Sequence, residues 1–303
     1  MERLQSILVT VDRNDAAGPA LAKAIALARP FGARVELFLC DAERAYALKH
    51  EYDSRGVSEA REACLAQSRR YLERLRAAAD VGAVRVDIGV MCESPLYEGI
   101  VHEVQQNGPD LVVRSIGGDG TNETAGLSAT DWALVRTCPV PLMLTRNRSW
   151  RAQPRIAAAV DVSRQEGQEL TRTILRTAAL LRSGCDGSLD VIYGDDGAEA
   201  SAAAHEPRET ALRTRLEQAE VRAEQLHVLV GEPAKALPEF AAGRGYDLLV
   251  LGALTHRKAL TALVGTLTGR LMETLDCDFL LVKPATYVCA VGEQPAGGTI
   301  CAG

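Results

Sequence analysis

The sequence predicts an α/β protein made of two similar halves, each a parallel sheet with helices packed on it, and three observations carry that prediction. First, four stretches recur in the same order: Ser6–Asp12 returns as Arg155–Asp161, Val86–Pro95 as Gln225–Pro233, Asp110–Val113 as Asp247–Val250, and Cys138–Leu144 as Cys277–Val282. The offset is 149 for the first pair and 137 to 139 for the others, so the order marks a duplication and not a coincidence. Second, apolar runs of four to six residues alternate with longer stretches of helical period, as in successive βα units. Third, acidic residues and glycine-bearing loops directly follow those apolar runs, where an open parallel sheet receives its ligands.

In the first half the apolar runs predict strands at 6–12, 34–40, 84–90, 110–115 and 140–145, with helices at 16–31, 57–79, 95–107 and 127–137 between them. The second half predicts strands at 155–161, 188–193, 225–230, 247–252 and 278–283, separated by helices at 165–183, 206–223, 233–244 and 266–275. Pro95 and Pro233 mark helix starts, since proline is favoured in a first turn and a nearby glutamate suits the helix dipole. The domains are placed at 1–147 and 154–284, joined by the polar linker 146–154, and 285–303 reads as a flexible Gly/Pro-spotted tail.

Composition narrows the function. The chain of 303 residues carries 34 Lys+Arg against 40 Asp+Glu, a net charge of -6, which lacks the basic surface that binds a phosphate backbone, so nucleic acid is not an expected partner. No apolar stretch approaches the roughly 18 to 20 residues that span a bilayer, and no membrane partner is expected. Eight cysteines occur without a C-x-x-C pair, mostly in apolar runs where a thiol behaves as a small hydrophobe, consistent with a reducing cytoplasm. The five histidines lack metal-ligand spacing, no metal site is expected, and neither a G-x-S-x-G elbow nor a G-x4-G-K-(S/T) loop is present, so no catalytic residue is assigned.

The candidate site residues follow strands. Asp12 and Asp161 close the first strand of each half, Glu93 and Glu232 follow the third, and loops from Ser115 and Gly252 follow the fourth. The aspartates and glutamates also suit helix caps, and that reading stands beside the functional one. The most informative loop runs Gly252-Ala253-Leu254-Thr255-His256-Arg257-Lys258 to Gly265-Thr266-Leu267-Thr268. Glycine admits close backbone approach, the hydroxyls of Thr255, Thr266 and Thr268 can donate to phosphate oxygens, and a helix starting near Thr266 presents free N–H groups. Arg257 and Lys258 add positive charge, or are solvated surface. The corresponding first-half loop, Ser115 through Gly126-Leu127-Ser128, is two residues shorter, lacks the leading glycine and carries Asp119 and Glu123 where phosphates would lie.

This architecture and loop resemble the universal stress protein family, whose nucleotide-binding members carry G-x2-G-x9-G-(S/T) after the fourth strand. The resemblance covers residues 3 to 284 as two tandem domains. It implies Rossmann-like, adenine nucleotide alpha hydrolase-like sheets of order 3-2-1-4-5. Gly252 takes the first glycine, Gly265 the last, Thr266 the Ser/Thr and Asp161 the first-strand aspartate that approaches the nucleoside, while Thr255 stands at the second glycine. ATP is thereby expected in the second half and no nucleotide in the first. The resemblance also implies association through fifth strands, so 140–145 and 278–283 are expected to pair as an internal pseudo-dimer, with a homodimer left open. Functionally the chain reads as a stress-response regulatory protein sensing a small ligand. A slow ATPase using the same site, and a scaffold whose pocket has decayed or accepts another ligand, stay open as alternatives.

Overall fold

The computed structural model describes residues 1, 3–13, 18–51, 56–116, 126–161, 168–195, 202–253 and 267–292. The chain divides into two compact units, Leu4–Leu142 with Val288–Gly303, and Met1–Arg3 with Met143–Tyr287. In the first unit β1 (Ser6–Thr10), β2 (Arg34–Cys40), β3 (Val86–Met91) and β4 (Leu111–Ser115) alternate with α1 (Gly18–Phe31), α2 (Ala42–Glu51), α3 (Gly56–Ala78), α4 (Leu96–Asn107) and α5 (Ala129–Thr137). The second holds β5 (Leu142–Thr145, from Met143 on), β6 (Arg155–Val160), β7 (Ser188–Asp195), β8 (Gln225–Val230), β9 (Leu248–Gly252) and β10 (Asp278–Val282). With these go α6 (Gln168–Cys185), α7 (Ala202–Ala219), α8 (Pro233–Ala242) and α9 (Leu267–Thr274).

The strand order within the first unit is β3-β2-β1-β4, and within the second β5-β10-β9-β6-β7-β8. The second repeat therefore has the expected order 3-2-1-4-5, and the first has its 3-2-1-4 part. β5 falls, from Met143 on, in the second unit and runs beside β10, the pairing expected of 140–145 with 278–283. The reason is burial: all four residues of β5 and all five of β10 are buried, so each covers an edge that would otherwise be apolar and open. One difference is α2, which lies between the expected strand 34–40 and helix 57–79; its run AERAYALKHE is polar overall and shows no clear apolar period.

Most strands bury both faces, as parallel strands do when helices lie on each side, whereas β8 is half-buried. Leu8, Val9, Leu37, Val112 and Val113 line the first core, and Ala157, Ala158, Val191, Leu249 and Leu280 the second. Gly108 ends α4 in the left-handed region at φ 55, with its N–H donated to Val104 O, a conformation glycine adopts without steric cost.

One device recurs in both units. Asp110, just before β4, accepts the backbone N–H groups of Gln5 (2.7 Å) and Ser6 (2.9 Å) and donates its own N–H to Ser6 O (2.9 Å). Asp247, just before β9, accepts from Arg155 N (2.9 Å) and donates to Arg155 O (2.8 Å). Asp247 is 1% exposed and is also 3.0 Å from the Arg151 guanidinium and 3.7 Å from that of Arg148. Asp247→Ala strips a buried carboxylate from two arginines and a backbone donor and is expected to lower stability by about 3 kcal/mol, measured by urea unfolding. Asp110→Ala, at a more open position, should lower it by about 1 kcal/mol.

A half-buried and a buried carboxyl meet between β2 and α4. Glu36 reaches across Gly89, where an added Cβ would stand 2.5 Å from Glu36 Oε1, and Glu103 of α4 is 2% exposed and accepts from Asn107 Nδ2. Burial raises both pKa values, and the Glu36 charge helps push Glu103 up to about 8. The folded protein thus binds more protons than the unfolded chain above pH 4.5, so this pair makes stability fall as pH rises from about 4.5 to about 8. Glu103→Gln, which mimics the protonated acid, should flatten that part of a melting-temperature profile. It should gain on the order of 1 kcal/mol at pH 8 and nothing at pH 4.

Candidate functional site

The register fixed at the start of the strands determines what meets at their carboxyl ends. In the second unit β6 pairs with β9 as Ile156↔Leu248, Ala157↔Leu249 and Ala158↔Val250, which carries Asp161 and Gly252 to the same edge. Asp161 is exposed, and its backbone carbonyl accepts from Thr171 Oγ1 at 2.9 Å, tying the end of β6 to α6. Gly252 ends β9 under α6: an added Cβ would stand 2.8 Å from Leu170 Cδ2 and 3.6 Å from Ile174 Cδ1. The next residue, Ala253, donates its N–H to Val282 O at 2.9 Å. Of the remaining sequence-derived candidates, Thr255, Arg257, Lys258, Gly265 and Thr266 lie outside the described residues. Thr268 falls in the first turn of α9. The structure thus brings Asp161 and Gly252 together.

In the first unit the equivalent edge is built differently. Thr10 pairs with Arg114 at the end of β1 and β4, and Asp12 is half-buried. Arg114, 8% exposed, meets Asp131 (4% exposed) at 2.5 Å. Asp131 also closes a capping box on α5: its carboxylate accepts from Ser128 N (2.9 Å) and Ser128 Oγ (2.7 Å), while Ser128 Oγ accepts from Asp131 N (3.1 Å). The amino end of α5, which in a nucleotide loop would face an anion, already holds the chain's own carboxylate. Sequence reasoning missed this pair; the S-x-x-D spacing of Ser128 and Asp131 was the available signal.

The two glutamates after the third strands part company. Glu93 lies 2.8 Å from His102 Nδ1, and His102 Nε2 is 3.0 Å from Gly292 O. Gln105 donates to Val291 O (3.0 Å) and Cys289 to Thr137 O (3.2 Å), so residues 289–292 are held along α4 and α5. Glu232 is exposed, starts α8, and pairs with Lys235 at 2.6 Å, which lowers its pKa. His227 stacks at 4.8 Å on Phe240 and lies 3.6 Å from Asp190, and burial lowers its pKa. Among the described residues no cluster of His, Cys, Asp and Glu has the arrangement of a metal site, and no helix is long and apolar enough to cross a membrane.

Comparison with known proteins agrees with this architecture. The model of the universal stress protein family matches residues 3–146 and again 154–283. Universal stress protein E of Photorhabdus laumondii is 24% identical, with 96% of this chain and 98% of that protein covered, and its Escherichia coli K12 namesake is 23% identical over 95% and 96%. A crystal structure of a protein of unknown function from Pseudomonas aeruginosa PAO1 superposes with a TM-score of 0.71 at 24% identity, covering 94% of each chain. Two consecutive family matches take in nearly all of the sequence, and the chain therefore belongs to the universal stress protein family, with two of the family's domains in tandem.

Proposed function

We propose that this chain is a cytoplasmic stress-response regulator whose second half binds an adenine nucleotide at the carboxyl edge of β6 and β9. In this reading Asp161 receives the nucleoside, the stretch from Gly252 to Gly265-Thr266 wraps the phosphates with Thr255 and Thr268 contributing hydroxyls, and Arg257 and Lys258 add secondary charge. The observation that carries it is the convergence of Asp161 and Gly252 on one edge, with the Gly265-Thr266 step leading straight into α9. Charge in the two halves supports it. Aligned through Cys138 and Cys277, Asp131 of α5 corresponds to Arg270 of α9, and aligned through Asp110 and Asp247, buried Arg114 corresponds to buried Leu251. The first half neutralises its own helix start, whereas the second carries a cation where the first carries an acid. ATP, when bound, supplies the signal; the residues here bind and orient it.

A second reading, a scaffold without nucleotide, is favoured by two observations: Thr255 stands where the family's second glycine would, and Gly252 is already accounted for by its close packing under Leu170. A β-branched residue forced into left-handed backbone would cost roughly 1 to 2 kcal/mol.

The deciding measurement is mass spectrometry of whatever small molecule co-purifies with the full chain, followed by calorimetric titration of ATP into ligand-free protein. The proposal expects a stoichiometric adenine nucleotide and binding weakened at least about tenfold in Gly265→Val, whose melting temperature is checked alongside. No nucleotide and no heat at millimolar ATP overturn it in favour of the scaffold. Gly252→Ala should cost about 1 kcal/mol in stability, with a coupling of similar size to Leu170→Ala in a double-mutant cycle. ATP affinity unchanged in Gly252→Ala would assign that glycine to packing alone.

A further inference from the structure

Two thiols meet at the carboxyl end of the sheet in the first unit, away from the edge assigned to nucleotide. Cys92 is the first residue after β3 and Cys64 lies in the middle of α3; they are 5% and 1% exposed. They share a small cluster with Ala45 and Leu48 of α2 and with Ala60 and Leu65 of α3. Part of their cover is the ten-residue helix α2, through Ala45 and Leu48. Around them stands a polar set that a merely apolar thiol pair does not need. Cys64 donates to Asp41 Oδ2 at 3.4 Å, and Asp41 is held by Arg13 at 3.1 Å and by Arg44 at 3.8 Å, with Arg44 N donating to Asp41 Oδ1 at 3.2 Å. Arg13 is itself fixed by a 2.7 Å bond to Ser68 of α3.

The chemistry of the two sulfurs is unequal. Cys92 donates to the Cys64 thiolate and, with help from Arg44, brings the Cys64 pKa down to about 7 against burial and Asp41, while the Cys92 pKa is pushed up. The buried thiols Cys40 and Cys277, by contrast, are pushed up to about 12 by burial. The arrangement is that of an attacking thiolate with a neighbouring thiol to resolve it.

We propose that Cys64 and Cys92 form an oxidisable dithiol site that takes a hydroperoxide as its oxidant and closes to a reversible disulfide between α3 and the end of β3. The Cys64 thiolate attacks the terminal peroxide oxygen, the O–O bond breaks, and the alcohol or water leaves with a proton, giving Cys64 sulfenic acid. Cys92 sulfur then attacks the Cys64 sulfur, the S–O bond breaks, and hydroxide departs as water with the Cys92 proton. In sum, two thiols and one ROOH become one disulfide, one ROH and one water, with two electrons passing from sulfur to peroxide. The disulfide removes the Cys64 donor from Asp41 and so alters the network that holds Arg13, one residue past Asp12.

The test treats the reduced full-length protein with one equivalent of hydrogen peroxide, alkylates the remaining thiols and maps tryptic peptides. The two cysteines fall in separate peptides, Glu62–Arg69 and Val86–Arg114, each with one cysteine. The proposal expects these two peptides linked, with the link lost on reduction by dithiothreitol. Dimedone should trap Cys64 in Cys92→Ser, Cys92 should stay reduced in Cys64→Ser, and iodoacetamide labelling of Cys64 should reach half its maximum near pH 7. The half-buried Cys185 and Cys289 serve as internal competitors. Thiols that stay reduced, first oxidation at Cys185 or Cys289, or Cys64 oxidation in wild type without the link each overturn it. The wild-type digest decides the matter even where a variant fails to fold.

Discussion

A carboxylate that grips the backbone of the neighbouring strand is the constraint on which each unit depends. Asp110 binds the N–H groups of Gln5 and Ser6, and Asp247 binds that of Arg155, at the amino ends of β1/β4 and β6/β9. Such charge-assisted bonds are among the stronger ones a chain makes, and they act where the register is chosen. A slip of one residue would turn every side chain of a strand to the opposite face, exchanging core for helix-facing positions. With the amino ends fixed, the carboxyl ends follow, and Asp161 comes to the same edge as Gly252.

The two repeats share this frame and differ in what they do with the far edge. Arg114 and Asp131 close the first by pairing with each other beneath the start of α5, which stabilises that helix and fills its anion-attracting end from within the chain. In the second, Leu251 and Arg270 stand at the corresponding sequence positions, an apolar residue and a cation in place of the ion pair. The first repeat in turn carries the dithiol beside α2. Duplication has thus kept the load of the fold in common and divided the reactive groups between the copies.

Much of this was legible in the sequence, for a physical reason. Parallel strands buried on both faces must be continuous apolar runs, and helices that cover them must show a 3.6-residue period, so β2 and β8 were located to the residue and most others to within two. α2 escaped because it covers only a small cluster and presents a largely polar run. At the site, spacing found Asp161 and Gly252 because each directly follows a strand, while Arg114 with Asp131 and Cys64 with Cys92 join elements far apart in sequence.

By itself the sequence determined the repeat, the element order and the parallel α/β class, since these rest on local periodicity and on runs that any fold must bury. Only the tertiary structure decided that Gly252 packs beneath Leu170, that a carboxylate already sits at the start of α5, and that two cysteines far apart in sequence share one buried cluster. Those facts depend on contacts between residues distant along the chain, whose energies arise from shared burial and mutual charge and are therefore written in no single segment.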